Sequence, residues 1–422
     1  MFVKGVVQMK IWLITLAETN PMLDPGQRSM KTASLAIALA QAGHTVIWWK
    51  SSVDHIAKKK LFETDTDVEW NSNVTVKFIN GPLYHSNISF ARLWNHIVVA
   101  RRFKTLAQQI EPPDIVYCSI PTLEMALEAV RFGRKQNIPV YLDIRDLWPD
   151  EFYDRVPAIA RPLVRLLLLP LSHIRNRALR GASGLTAVSP EYLQWGLRHA
   201  RRAQTKMDHV FMLGYPRKTN QPQASKDKVL QKIGIDGTKK IFSFISTFNN
   251  SVDIDTIISA AEILGNNNEI QIVICGSGEG ENGFHTRAKS IGNLFFTGWI
   301  DKYAISELLK ITYAGLVSYV ASTRVSLPNK IFEYLSEGIP ILTSLKGDAR
   351  SMVEENDCGK YYRAGNAPEL AEMMRDYAND STLRHRQSVN AQTLFDQQCA
   401  VEVIYPALIE FLDEQAAWKR QG

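Results

Sequence analysis

Short apolar runs alternate with amphipathic stretches along nearly the whole chain. In the first half the runs are KIWLITL, HTVIWW, VTVKFI, DIVYCSI, PVYLDIR, GLTAVS and HVFMLGY. They are rich in β-branched and aromatic residues and do not alternate strictly between apolar and polar positions. That is the pattern of parallel strands covered on both faces. Helical periodicity fills most of the gaps, for example at 29–42 and 91–109. Strand and helix in repetition predict a doubly wound parallel sheet.

A polar, proline-bearing stretch at 215–228 interrupts the pattern and reads as a linker. The alternation then restarts with KIFSFIST, QIVICGS, LFFTGW, GLVSYV and PILTSL. Two α/β domains follow from this, one over 1–215 and one over 216–395. A terminal segment, 396–422, carries a last helix that can pack back on either domain, the first among them. In sheets of this kind ligands sit beyond the carboxyl ends of the strands, so functional residues are sought just after each run.

Composition narrows the classes. The chain has 422 residues, 45% hydrophobic and 22% charged, with a net charge of +6 and a pI near 9.0. The mild basicity suits an anionic ligand or membrane surface, and no nucleic-acid-binding motif accompanies it. Four widely spaced cysteines without a C-x-x-C pair read as buried thiols of a reducing compartment. The start reads as a short extension and a strand, without a signal-peptide core, and no run reaches the ~20 apolar residues of a membrane span.

Several motifs carry possible chemistry. Gly26 follows the first run and precedes a helix, where a bare backbone lets a substrate approach. CGSGEGENG holds glycines at 276, 278 and 280 but fails the G-x-G-x-x-G dinucleotide fingerprint. It reads as a glycine-rich turn near a ligand. Asp65/Asp67 and Asp253/Asp255 are spaced for a metal. The first pair reads as a polar loop, and Asp253 as the N-cap of the helix through Leu264. With no H-E-x-x-H and no cysteine cluster, neither a metal nor another cofactor is expected. Asp143, Arg145 and Asp146 end an apolar run, as a site would, although an ion-pair cluster that locks a loop is the plainer alternative. The stretch 161–180 mixes leucines with Arg161, Arg165, Arg175, Arg177 and Arg180. It is either an ordinary core helix with a solvated face or a segment that lies on an anionic membrane.

The most informative stretch is SLPNKIFEYLSEGIPIL. Pro328 suits a helix start. Backbone N–H groups of Leu327, Asn329 and Lys330, with the Lys330 side chain beside them, offer a seat for a diphosphate. Glu333, one turn on, shares a face with Lys330 and is wedged among apolar neighbours. A carboxylate there is suited to accept both hydroxyls of a ribose. The alternative is a surface Lys330–Glu333 pair of little energetic weight.

This stretch resembles the signature of the family-four retaining glycosyltransferases, which have the GT-B fold of two Rossmann-like domains facing a cleft. AGHTV, DIRDLWPDEF, FISTFNNSVDIDTIISAA and VICGSGEGE with NLFFTGWI resemble further family segments in the same order. The nearest likeness is to bacterial O-antigen and capsule transferases, including the fucosamine transferase group. The resemblance implies that Glu333 binds the ribose, and that Lys330 with the amides near Ser326–Asn329 holds the diphosphate. It also implies that Gly298, Trp299 and Ile300 touch the base, and that Gly26 lies near the donor phosphates. Arg145 and Asp146 fall where many members have a catalytic His-Asp pair. Two positions depart from the family. Val325 stands at the first glutamate of its E-x7-E pair, and Thr247 and Asn249 stand where a phosphate clamp usually falls. Lys330 is thereby the principal cation.

The implied activity is metal-free transfer of a hexosyl or acetamidosugar group from a nucleotide diphosphate sugar, a UDP-sugar favoured, to a lipid-linked or saccharide acceptor. The implied location is the cytoplasm, at the inner face of the plasma membrane. A GT-B sugar-nucleotide 2-epimerase and an inactive donor-binding subunit remain alternatives. Acceptor choice is expected to depend on loops near residues 20–28 and 84–92.

Overall fold

The first apolar run forms β1 (Lys10–Ile14), in which Ile11, Trp12, Leu13 and Ile14 are at most 1% exposed. A strand buried on both faces needs helices on both sides, and the chain supplies them. The computed structural model describes residues 8–24, 27, 29–153, 156–217, 235, 238–265 and 269–420. They divide into two units: one runs to Met212 and resumes at Tyr405, and the other is Leu213–Ile404.

In the first unit β2 (Thr45–Ser51) is followed by a small hairpin of β3 (Val53–Asp54) and β4 (Lys59–Lys60). Then come β5 (Thr66–Asn71), β6 (Val74–Ile79), β7 (Ile115–Ile120), β8 (Val140–Ile144), β9 (Gly184–Ala187) and β10 (His209–Val210). The sheet order is β10-β9-β8-β7-β1-β2-β6-β5. All its pairs are parallel except β5 with β6. The polar loop expected around Asp65 and Asp67 is in part this antiparallel edge strand. Asp67 lies on β5 and pairs with Lys77 of β6. Its alternation of half-buried and exposed positions marks a strand with one wet face. An aromatic cluster fills one side of the sheet: Trp12 stacks on Phe132 at 5.0 Å and meets Trp49 and Phe103 edge-on.

The second unit contains β11 (Lys240–Ile245), β12 (Ile270–Cys275), β13 (Leu294–Gly298), β14 (Thr312–Val317), β15 (Ile341–Thr343) and β16 (Gly359–Tyr361), all parallel, in the order β13-β12-β11-β14-β15-β16. Its core packs Phe242, Ile257, Ile272, Met374 and Tyr377. In both sheets the order runs outward from the first strand and then reverses. The reversal falls between β1 and β7 in one and between β11 and β14 in the other. These are the switch points at which doubly wound sheets bind ligands.

The terminal helix Val401–Arg420 belongs to the first unit from Tyr405 on. There Phe411 packs against Tyr141 and Phe211, and Gln415 accepts a hydrogen bond from the Tyr141 hydroxyl at 3.1 Å. Where the chain enters the second unit, Tyr215 pairs with Ala400: Tyr215 N donates to Cys399 O, and Val401 N donates to Tyr215 O, both at 3.0 Å. The expected linker beyond residue 217 lies outside the described residues.

Candidate functional site

The carboxyl ends of β11 and β12 open on a pocket of about 190 Å³. One wall is Ile245, Ser246 and Thr247, and the other is Cys275, Gly276 and Ser277. Trp299, Ile300 and Ile305, past β13, and Lys330, after β14, complete it. The two loops are pinned to each other and to β13: Ser246 N donates to Cys275 O at 3.0 Å, Phe248 N to Ser277 O at 2.9 Å and Gly276 N to Gly298 O at 2.9 Å. Gly276 has φ +140°, and a β-carbon there would lie 1.8 Å from the Ser246 carbonyl oxygen. Only glycine fits, so the pocket floor is bare backbone.

Thr247, Trp299, Ile300 and Lys330, separated widely in the sequence, thus line one pocket. Trp299 is 76% exposed, a free ring at its mouth. Gly298 accepts the Gly276 bond behind it. Asn249 is exposed and closes its own turn, its side-chain oxygen accepting from Ser251 N at 2.8 Å. Ser326, Leu327 and Asn329 do not line the pocket. Ser326 donates to Asp348 at 2.7 Å, Leu327 is buried and Asn329 is exposed.

The helix after β14 spans Asn329–Leu335, with Pro328 at its N-cap. Ile331, Phe332, Tyr334 and Leu335 are fully buried, and the Tyr334 hydroxyl donates to Ser243 O of β11 at 2.8 Å. This packing fixes the opposite edge of the helix, where Glu333 is 5% exposed. Both carboxylate oxygens of Glu333 are taken: Lys330 Nζ lies 2.7 Å from one, and the Tyr215 hydroxyl donates to the other at 3.1 Å. The Lys330–Glu333 pair is therefore real but not a surface pair. Burial of Glu333 on an apolar helix requires partners of this kind.

In the first unit a buried charged cluster lies at the carboxyl ends of β1 and β8. Glu18 accepts from Thr32 N, Ala33 N and the Thr32 hydroxyl, at 2.7 to 3.3 Å, and from Arg145 Nη1. Asp143 accepts from Arg145 Nε at 2.6 Å, Lys31 Nζ at 3.1 Å and the Thr186 hydroxyl at 2.9 Å. Burial pushes the Asp143 carboxyl up, but Lys31 and Arg145 outweigh it and hold the group well below the usual carboxylate range. Burial lowers Lys31 to about 8 against the pull of Asp143. Arg145 thus commits Nε and Nη1 to the cluster, while its buried Nη2 has no partner. Asp146, next in sequence, is pushed up to about 7 by burial and by Glu151, with Arg145 and Arg92 opposing.

The five arginines of 161–180 do not act alike. Arg161, Arg165, Arg177 and Arg180 are exposed on helices Arg161–Leu167 and Leu169–Gly181. Arg175 is only 4% exposed and bonds Asp150 at 2.6 Å. Asp150 also accepts from Trp195 Nε1 at 2.8 Å and meets His199 Nε2 at 3.1 Å. Arg175 is thus not on a membrane-facing surface, contrary to the expectation from the sequence: the partly buried carboxylate of Asp150 draws its guanidinium inward. The outward side is instead a leucine ridge, with Ile159 93%, Leu163 61%, Leu166 62% and Leu167 68% exposed.

Gly26 lies outside the described residues. Glu18, Lys31, Lys50 and Tyr215 were not singled out from the sequence. Glu18 directly follows the first strand, so the search after strand ends had a signal for it. Lys50 ends the HTVIWW run, and its Nζ donates to the carbonyls of Glu18 and Thr19 at 2.9 and 3.0 Å. Tyr215 had no local signal, because its partner is 118 residues away. Among the described residues no group of three or more His, Cys, Asp or Glu side chains is placed to hold a metal ion, and no helix is long and apolar enough to cross a membrane.

No curated protein matches the chain. Among solved structures it is similar to the sucrose-phosphate synthase of Thermosynechococcus elongatus, at 15% identity and a TM-score of 0.73, over 97% of this chain and 100% of that one. It is also similar to Anabaena Alr3699/HepE in complex with UDP-glucose, at 15% identity and a TM-score of 0.65, over 96% and 100%. A third is WaaG, a glycosyltransferase involved in lipopolysaccharide biosynthesis, at 16% identity and a TM-score of 0.62, over 95% and 98%. The family model described as glycosyl transferases group 1 matches residues 225–394, most of the second unit. The chain therefore has the GT-B fold over nearly all its length, and its second unit carries the sequence pattern of glycosyl transferases group 1.

Proposed function

We propose that this protein is a retaining glycosyltransferase that moves a hexosyl or acetamidosugar group from a nucleotide diphosphate sugar to a lipid-linked or saccharide acceptor in bacterial surface polysaccharide synthesis, such as O-antigen or capsule. The observation that carries the reading is the convergence of Thr247, Trp299, Ile300 and Lys330 on one pocket at the switch-point edge of the second sheet, with Glu333 paired to the same lysine. Trp299 and Ile300 suit a base, the bare backbone at Gly276 a diphosphate, and Glu333 a ribose. Anabaena Alr3699/HepE was solved with UDP-glucose, which favours a UDP-sugar here.

In this reading Lys330 neutralises charge on the departing diphosphate while the anomeric C–O bond breaks. The acceptor oxygen bonds to the same carbon from the same face, and its proton passes to the leaving phosphate. No side-chain base is required and no metal is invoked. Arg145 and Asp146 act on the acceptor side, Arg145 as an orienting group held by Glu18 and Asp143. The leucine ridge with Arg161, Arg165, Arg177 and Arg180 brings the protein to the anionic inner face of the plasma membrane. The sequence from 155 to 190 contains no acidic residue, which complements such a surface.

The test is donor binding and transfer by Lys330→Ala and Glu333→Ala. Each is expected to weaken donor affinity at least tenfold, and Lys330→Ala to lower turnover at least a hundredfold. Near-normal affinity and turnover in both would sink the assignment.

A further inference from the structure

The first unit holds two cations that the donor pocket and the buried cluster do not use. Arg92, on the helix Phe90–Leu106, is 7% exposed. Its guanidinium carbon lies 4.6 Å from the centre of the Trp148 ring, and its Nη1 donates to the Asn87 carbonyl at 2.7 Å. Its buried Nε has no hydrogen-bond partner. Among the described residues no carboxylate lies within ion-pair distance of it, although Asp146 and Glu124 act on its charge; Glu124 also lies 3.7 Å from His96 Nδ1. Lys58, at the tip of the β3–β4 hairpin, donates to the side-chain oxygen of the same Asn87 and to the His55 carbonyl. Among the described residues no carboxylate lies within ion-pair distance of it either, although Asp54 acts on its charge. Asp54 is occupied by the backbone N–H groups of Ile56 and Ala57, both at 2.8 Å, and by Asn20 at 3.2 Å.

A buried guanidinium whose carboxylates stand beyond ion-pair contact, with an N–H left unbonded, is costly, and a ligand oxygen at the open Nε relieves that cost. Its neighbours fit a phosphoryl group. Tyr84 hydroxyl and His55 Nδ1 lie 2.9 Å apart beside the two cations. Burial holds His55 down to about 4, with Arg92 and then Lys58 adding to the effect and Asp54 opposing it, so both cations act at this point. The hairpin follows β2, the loop with Tyr84 and Asn87 follows β6, and Trp148 follows β8. All three segments lie at the carboxyl edge of the first sheet, where doubly wound domains bind ligands.

We propose that Lys58 and Arg92, with His55 and Tyr84 beside them, form a phosphoryl-binding site, so that the acceptor of this transferase carries a phosphate or diphosphate ester. The acceptor role rests on the transfer reading above, whereas anion binding itself does not. The phosphoryl group comes either from the acceptor molecule or from the head group of a membrane lipid.

Inorganic pyrophosphate titrated into the Lys330→Ala protein, which lacks the donor-site cation, tests the site by calorimetry and by NMR of the histidines. One saturable site is expected, with an upward shift in the His55 titration, and Lys58→Ala weakens it at least tenfold. Arg92→Gln has the same effect, and because Lys58 is only half-buried on a hairpin, its substitution leaves folding intact if that of the more deeply buried Arg92 does not. Absence of a His55 shift, or equal affinity with and without Lys58, overturns the proposal. Flotation on phosphatidylglycerol vesicles assigns the source. Lost flotation in Lys58→Ala means a lipid head group, and unchanged flotation with lost pyrophosphate binding means the acceptor's own phosphate. Donor binding by the chain with Lys330 intact is unaffected by either variant, so failure here is separable from failure of the donor assignment.

Discussion

At the scale of single residues, Glu333 carries the strongest constraint. A carboxylate at 5% exposure on a helix of fully buried neighbours is tolerated because Lys330 and Tyr215 occupy both oxygens. Tyr215 therefore orients the carboxylate proposed to hold the ribose. Tyr215→Phe removes a hydrogen bond to a charged acceptor, worth about 1–2 kcal/mol, and is expected to weaken donor binding about tenfold by calorimetry. A ligand without ribose hydroxyls should show no such loss. Unchanged affinity for the ribonucleotide would mean that Lys330 alone sets the carboxylate. Gly276 is the second such residue. Its alanine variant drives a β-carbon against the Ser246 carbonyl, and a loss of about 2–3 kcal/mol in denaturant unfolding is expected, together with loss of donor binding.

At the scale of elements, the helices Arg161–Leu167 and Leu169–Gly181 expose apolar side chains that an ordinary core helix would bury. Simultaneous Leu163→Ser, Leu166→Ser and Leu167→Ser substitution removes little buried area, so the unfolding midpoint should hold. Association with anionic vesicles should fall by about tenfold or more, given roughly 0.8 kcal/mol per inserted methylene. Retained flotation would show that the ridge is not the contact. Arg175 belongs to the opposite class. Arg175→Ala takes the guanidinium from Asp150 and leaves it only Trp195 and His199, so its expected cost is stability rather than membrane affinity.

At the scale of the whole molecule, the charged groups beyond the first sheet make stability depend on pH. Burial and Glu151 raise Asp146 to about 7 from an ordinary value of 3.8. The unfolded chain therefore releases this proton first, and as pH rises from about 4 to 7 the folded state loses stability on its account. Asp146→Asn should raise the urea midpoint relative to the parent at pH 8, with the difference shrinking toward pH 5. A difference that grows on acidification would mean that Asp146 is charged throughout. Lys31 works on the alkaline side. Its value of about 8, below the ordinary 10.5, makes its contribution rise with pH between those two values.

The sequence by itself determined the class of fold. Buried parallel strands demand runs such as KIWLI and IVYCSI, and the helices between them demand amphipathic spacing; both are local patterns that survive without knowledge of partners. It also pointed to Lys330, at a helix start after a strand, and, through the family resemblance, to Thr247, Trp299 and Ile300. Edge strand β5 was missed because a half-wet strand of alternating polar residues looks like a loop. What only the tertiary structure decided are pairings across long separations: Tyr215 with Glu333, Arg145 with Glu18, Lys31 with Asp143, and the withdrawal of Arg175 to Asp150. Burial of charge is a property of what surrounds a side chain in space. Composition and spacing along the chain carry no record of it, and the same arginine reads alike whether it faces a membrane or a carboxylate.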